Sequence, residues 1–283
     1  MERGKEDCHI HMVLDGENWK TAIQRHENGP DRQWVRGILE RYANAGYDYL
    51  RDGGDRWGVG AAARSLAGEY GIRYRTPLAP LYHKGHYGSF IGVGFENVRD
   101  YRELVCKNRE KDFVKIMISG LMDFDRFGVL TQSGLEVGEI RELLHIAHEE
   151  GYAVMAHANG AEVVRAAAEA GVDSVEHGAY LDGEALRAMA ENGTVWVPTL
   201  SAIGNLRGKG RFDEIAVEQI LESAMENVVE FAAMGGLVAE GSDAGAWAVP
   251  HAAGTERTLL TQALGENVEE VLRRGGEKIR EKF

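Results

Sequence analysis

Residues 137–158 read VGEIRELLHIAHEEGYAVMAHA. Val137, Ile140, Leu143, Leu144 and Ala147 recur at spacings of three and four, which sets them on one face of an amphipathic helix. Gly151 follows where a helix C-terminus turns, and Val154-Met155-Ala156 then runs without a break into His157. A short apolar run bounded by glycine and closed by a polar residue reads as a buried strand. Working outward, the same unit recurs. Trp34, Val35, Ile38, Leu39 and Tyr42 form another helical stripe, and Ala45-Gly46-Tyr47 and Ala170-Gly171-Val172 repeat the glycine turn into a strand. The apolar runs predict strands at 8–14, 47–52, 72–79, 113–119, 152–157, 173–177, 194–199 and 236–242. Eight alternations of strand and helix imply a parallel sheet, and eight strands close a barrel. The expected fold class is therefore α/β, a (β/α)8 TIM barrel forming a single domain over 1–283. Two connections, 82–95 and 120–136, are long enough to be functional loops, and in such a barrel they lie on the face where active sites form.

Composition narrows the function. Thirty-two basic against 45 acidic side chains give a formal charge of −13, which opposes a nucleic-acid footprint. The two cysteines, Cys8 and Cys106, cannot build a disulfide framework, so a reducing compartment is expected. The charged start, Met1 to Asp7, lacks the apolar core of a signal peptide, and no apolar run approaches the roughly 20 residues of a membrane span. The expectation is a cytoplasmic protein with a small-molecule substrate, without nucleic-acid or membrane partners. A homo-oligomer is compatible with it.

Polar residues at strand ends carry the chemistry. In Asp7-Cys8-His9-Ile10-His11 the two histidines are two apart on a strand, so both imidazoles point to one side and can share an ion. Cys8 points to the other side and reads as a small buried side chain. Val114-Lys115-Ile116-Met117 buries a lysine in an apolar strand, a costly position for an unpaired ammonium. His157 and His177 each close an apolar run, and Asp243 closes the last strand. Each alone also suits a satisfied core side chain; their spacing changes that. With about 35 residues per strand–helix unit, Lys115 falls about three units after His11, His157 one after Lys115, and Asp243 about two after His177. The six residues thus fall on strands 1, 4, 5, 6 and 8 of one barrel mouth. Four imidazoles and a carboxylate suit zinc or another divalent metal.

This pattern resembles the amidohydrolase superfamily, in its imidazolonepropionase-related and prolidase-like branch. The matching stretches are Asp48-Tyr49-Leu50-Arg51-Asp52-Gly53-Gly54, Val114-Lys115-Ile116-Met117, Ala156-His157-Ala158-Asn159-Gly160, Val175-Glu176-His177-Gly178 and Gly241-Ser242-Asp243-Ala244-Gly245. The resemblance implies two zinc ions: one on His9, His11 and Asp243, the other on His157 and His177, with a carbamylated Lys115 bridging them. Lys115 favours the dipeptidase-like members over imidazolonepropionase itself. The usual accessory β-sandwich is expected to be missing, since so few residues flank the barrel.

The activity so implied is metal-dependent hydrolysis of an amide in a small substrate such as a dipeptide or N-acyl amino acid. Asp243 would move the proton from water to the leaving amine. The same centre would also serve hydrolysis of cyclic amides, lactones or phosphoesters, or deamination of a heterocycle, and a barrel that only binds metal is the rival from another class. Tyr82, His83 and His86 are the expected substrate contacts, with His86, matched by the resemblance, as a catalytic residue orienting the substrate. Arg126, or Arg207, Lys209 and Arg211, are candidates for a substrate carboxylate. Trp247 and His251 follow Asp243 and can wall the pocket.

Overall fold

The computed structural model describes residues 4–283, so the first three residues of the single-domain reading lie outside the described residues. All strands pair in parallel. Strands β1 (Lys5–Ile10), β2 (Tyr47–Asp52) and β3 (Arg73–Arg75) form one sheet in that order. The second sheet holds β4 (Leu81–His83), β5 (Val93–Phe95), β6 (Val114–Met117), β7 (Val154–Ala158), β8 (Ser174–His177), β9 (Val195–Val197) and β10 (Leu237–Val238). Its order is β10-β9-β8-β7-β6-β4-β5.

The two sheets meet along β1. Cys8 N donates to Glu240 O (2.8 Å), Asp243 N to His9 O (2.8 Å) and His11 N to Ala244 O (2.7 Å). On the opposite flank a single backbone bond, Asp112 N to Thr76 O at 3.0 Å, accompanies Thr76 N donating to Asp112 Oδ2 at 2.9 Å. The fold is α/β with parallel sheets, and its strand ladder is interrupted between β3 and the second sheet.

The helices follow from local chemistry. Asp31 caps α2 (Arg32–Asn44) by accepting from Gln33 N and Trp34 N, and the helix buries Val35, Ile38, Leu39 and Tyr42. Helix α5 (Val137–Glu149) buries Ile140, Leu143, Leu144 and Ala147, while α7 (Gly183–Glu191) and α9 (Glu214–Ala233) start at Asp182 and Asp213 caps. The remaining helices are α1 (Trp19–Gln24), α3 (Val59–Ala67), α4 (Val98–Lys107), α6 (Ala161–Glu169), α8 (Ser201–Gly204), α10 (Thr255–Leu264) and α11 (Val268–Lys282). Between sheet and helices lies a continuous apolar layer around Trp196, whose ring meets Phe231 of α9. A smaller plug of Cys8, Tyr49, Phe113, Met155, Val195, Val197, Ala239, Ile279 and Phe283 fills the space between the strands. Among the described residues no helix is long and apolar enough to cross a membrane.

One expectation is corrected. The segment 82–95 is not a loop throughout, because it carries most of β4 and all of β5. Strands of three residues show too few alternations to register, and Gly88, Gly92 and Gly94 interrupt the pattern further. A Cβ at Gly88 would lie 2.7 Å from Tyr82 Cβ, one at Gly94 2.8 Å from Lys84 Cγ and 2.9 Å from Tyr82 Cζ, and one at Gly92 2.9 Å from Gly88 O and Pro80 O.

Candidate metal centre

The C-terminal ends of β1, β6, β7 and β8 and the segment after β10 meet at one end of the sheets. They bring His9, His11, Lys115, His157, His177 and Asp243 to the floor of one cavity of about 750 Å3. Ligand atoms of His9, His11 and Asp243 lie within 4.8 Å of one another. Asp243 Oδ1 is 3.2 Å from His11 Nε2 and 3.5 Å from His9 Nε2. The other two imidazoles continue the cluster, with ring centres 5.1 Å apart for His9 and His177 and 4.5 Å apart for His157 and His177.

Backbone geometry aims these groups. His177, Thr199 and Asp243, at the exits of β8, β9 and β10, take φ of 67°, 50° and 59°. Such left-handed positions cost a non-glycine residue on the order of 1–3 kcal/mol, and they turn the side chain sharply out of the strand direction. Thr199 Oγ1 lies 2.8 Å from His177 Nδ1, which fixes the ring and leaves Nε2 facing the cluster. Two glycines leave room at the cluster: a Cβ at Gly53 would sit 2.4 Å from the imidazole carbon His11 Cε1, and one at Gly241 would meet Val197 Cγ1 at 2.4 Å and the His9 backbone N at 2.8 Å.

Behind the cluster runs a buried polar relay. His9 Nδ1 is 2.7 Å from Glu176 Oε2, so Nδ1 carries the proton and Nε2 presents its lone pair. Glu176 Oε1 in turn accepts from Arg51 Nη2 (2.8 Å) and Ser174 Oγ (2.6 Å). Arg51 is wholly buried, also donates to Cys8 O and Ser174 Oγ, and lies over the Phe283 ring at 4.4 Å. On the other side Asp7 accepts from Ser242 N and Ser242 Oγ, which anchors the turn that delivers Asp243. Burial raises Asp7 to about 6.

Burial also sets the protonation of the cluster. It holds His9 and His177 well below the usual histidine range. It lowers His157 to about 3, with the Lys115 charge adding to the effect. All three imidazoles are neutral at pH 7, the form that binds a metal. Burial lowers Lys115 to about 8 against the pull of Glu176.

Within the cluster three of the buried polar atoms that lack a hydrogen-bond partner come together: Lys115 Nζ, Asp243 Oδ1 and His11 Nδ1. Orphaned groups of this kind are rare in a folded protein and need an explanation. The nitrogen and oxygen donors around Asp243 fit a divalent cation such as zinc. A charged lysine amid imidazoles does not fit such an ion; a neutral or carbamylated one does.

Tyr82, His83 and His86 are not among the residues lining the cavity. His83 stacks on Phe95, stands beside His86, and sits 2.7 Å from Glu139 Oε1 of α5 without hydrogen-bond geometry. From that segment Tyr87 and Phe90 reach the cavity, the Tyr87 ring 4.9 Å from that of His157. Trp247 lines the cavity, whereas His251 is buried behind it between Tyr42 and Leu14 O. Arg126 is held by Asp123, and Arg207 lies 3.7 Å from Glu218. Arg211 lines the cavity. Sequence reasoning passed over Arg51, Glu176 and Tyr87. For the first two the available signal was charge inside an otherwise apolar strand.

No family model matches the chain. It is similar to ochratoxinase of Aspergillus niger, with 27% identity over 233 residues, which cover 71% of this chain and 48% of that one. The chain thus spans about half the length of the curated relatives it matches. Among solved structures, a Xaa-Pro dipeptidase with methionine in its active site superposes with a TM-score of 0.79 at 20% identity, over 98% of this chain and 75% of that one. A prolidase complexed with N-methylphosphonate-L-proline gives 0.76 at 23% identity, covering 98% and 74%. The A. niger ochratoxinase structure gives 0.76 at 18% identity, covering 98% and 71%. These neighbours are amidohydrolase- and prolidase-like proteins, hydrolases of carbon–nitrogen bonds. At such identities the likeness establishes the fold.

Proposed function

We propose that this chain is a metal-dependent amidohydrolase with a (β/α)8 barrel architecture, cleaving an amide bond in a small substrate such as a dipeptide or N-acyl amino acid. One observation carries the reading: His9, His11 and Asp243 converge within 4.8 Å at the floor of a cavity, with Asp243 Oδ1 buried and unpartnered. The similarity to prolidase-like structures supports it.

His9, His11 and Asp243 would hold one divalent ion, and His157 and His177 a second, with a carbamylated Lys115 shared between them. When bound, such ions supply Lewis acidity toward a carbonyl and lower the pKa of water. The protein's own part is to position and to move protons. Glu176 keeps the His9 proton on Nδ1, so that the Nε2 lone pair would be free to hold the ion. Asp243 Oδ1 faces His9 and His11, which leaves Oδ2 to take a proton from water and return it to the leaving nitrogen. Water and amide thereby become carboxylic acid and amine. The aromatic wall of Tyr87, Phe124, Phe212 and Trp247 limits bulk water around the reacting bond.

The test is turnover by metal-loaded protein on panels of dipeptides, N-acyl amino acids, lactones and phosphotriesters. Hydrolysis of amides is expected, and Asp243→Asn should lower it about 10²–10⁴-fold. A fully loaded protein that cleaves none of these, and that Asp243→Asn leaves unaltered, would overturn the reading. Release of ammonia from a heterocycle would redirect it to deamination.

A further inference from the structure

Two of the strained turns at the metal centre share one anchor on α10. Thr199 holds the His177 ring through Oγ1, and Asp243 carries the carboxylate; both have left-handed backbones, which persist only where the surroundings fix them. What fixes them is the neighbouring peptide planes. After Thr199, Leu200 N donates to Glu256 Oε1 at 3.1 Å and Ser201 N to Glu256 Oε2 at 2.6 Å. The plane before Asp243 is held at both ends: Asp243 N donates to His9 O at 2.8 Å, and Ser242 O accepts from Ser201 Oγ at 2.6 Å. Ser201 Oγ also lies 2.8 Å from Glu256 Oε2. One carboxyl on α10 thus reaches both turns, directly on the β9 side and through Ser201 on the β10 side.

A single proton sets the direction of this chain. A serine hydroxyl has one proton to give, while a peptide carbonyl and an ionised carboxylate have none. With Glu256 ionised, Ser201 Oγ can serve Glu256 Oε2 or Ser242 O, and the contact it leaves sets lone pair against lone pair. With Glu256 protonated on Oε2, both contacts become hydrogen bonds: Oε2–H donates to Ser201 Oγ, and Ser201 Oγ–H donates to Ser242 O. The two backbone N–H groups of Leu200 and Ser201 keep their acceptors in either form. Thr199, Ser201 and Glu256 are sealed from solvent, and burial raises Glu256 to about 8 against the pull of its donors. Glu240, held by Arg257 of the same helix, pushes it the same way.

We propose that Glu256 is a positioning residue of the metal centre: protonated, it locks the Thr199 and Asp243 turns together through Ser201, and so sets the placement of His177 against Asp243. This rests on the metal-centre reading above. Neither Glu256 nor Ser201 is among the residues lining the cavity, so both act only through the turns they hold. The two residues they place belong to the two different halves of the centre, which makes the link a means of fixing one half relative to the other.

The experiment compares wild type, Ser201→Ala, Ser201→Thr and Glu256→Gln by zinc calorimetry at pH 7 and by infrared spectroscopy of the metal-free protein. Ser201→Ala removes the linking hydroxyl and should weaken zinc binding about tenfold or more, whereas Ser201→Thr keeps a hydroxyl and should bind close to wild type. Metal-free wild type should show at pH 7 the C=O band of a buried protonated carboxylic acid. That band should vanish in Glu256→Gln, move in Ser201→Ala and fade as pH passes 8. Zinc affinity unchanged in Ser201→Ala, affinity lowered equally in Ser201→Thr, or the same infrared spectrum for wild type and Glu256→Gln would each overturn the proposal. A wild type that takes up no zinc overturns the metal-centre reading instead, and NMR of the metal-free protein then decides the link. The His177 ring nitrogens and the Asp243 amide should shift together in Ser201→Ala and not in Ser201→Thr; a shift in only one of them refutes it.

Discussion

Glu176 Oε2 lies 2.7 Å from His9 Nδ1, with both side chains sealed from solvent and Arg51 Nη2 2.8 Å from the other Glu176 oxygen. One carboxylate thereby orients a metal-ligand candidate and neutralises a buried guanidinium.

Removing that carboxylate should act on both partners. Glu176→Ala leaves Arg51 buried without its counter-charge and should cost about 3–5 kcal/mol in urea unfolding. Glu176→Gln removes the same counter-charge but keeps an oxygen for Arg51, so beside a smaller stability loss it should weaken zinc binding about 10–100-fold by calorimetry. If Glu176→Gln binds zinc like wild type, the carboxylate does not set the His9 tautomer.

Gly53 tests the space around His11. Gly53→Ala would place a methyl 2.4 Å from His11 Cε1. Because one ring can swing away, unfolding stability should change little, within about 1 kcal/mol, while zinc affinity falls about tenfold or more. A stability loss with affinity intact would mean that the backbone, not the ring, gives way.

Lys115 predicts a pH signature in metal-free protein. Burial lowers it from 10.5 to about 8, so the folded state binds this proton less tightly than the unfolded state does. The resulting penalty is full below pH 8 and fades as pH rises from 8 to 10.5. Lys115→Met should therefore be more stable than wild type at pH 7 by on the order of 3 kcal/mol, with the difference shrinking toward pH 10.5. A difference that does not vary with pH would show that the amine has an unseen partner. Lys115→Ala should also lose one of two metals, recovered with short carboxylates, and metal analysis checks this.

Glu256 should show the opposite slope. It is buried, accepts from Leu200 N, Ser201 N and Ser201 Oγ, and burial raises it to about 8 despite those donors. The folded state binds this proton more tightly than the unfolded one, so its contribution is present below 4.5 and is lost as pH rises to 8. Glu256→Gln should gain on wild type across that window in urea titrations. An identical pH dependence for the two proteins would place the Glu256 pKa near its ordinary value.

The sequence made the helices legible where burial is one-sided. The spacing of Ile140, Leu143, Leu144 and Ala147 alone suffices to place α5, and that of Val35, Ile38, Leu39 and Tyr42 to place α2. The six strand-end residues were visible because polar groups closing apolar runs are costly without a purpose. Arg51 and Glu176 share that property, yet their pairing depends on two strands 125 residues apart meeting in space, which no local pattern encodes. The contents of 82–95 were hidden for another reason. Its histidines suggest a substrate-binding role by their place in a glycine-rich stretch and, for His86, by the resemblance, whereas His83 stacks on Phe95 and it is Tyr87 and Phe90 that line the cavity.

The bonds from Ser242 to Asp7 tie together positions 235 residues apart. At roughly 5–20 residues per second, a ribosome needs about 10–50 s to deliver the second partner after the first. Until then β1 waits with one edge bare, and His9 and His11 have no Asp243 to share an ion with. A metal held by this trio would thus be acquired late in the birth of the chain, and the first strand is a part that depends on protection from wrong partners during synthesis.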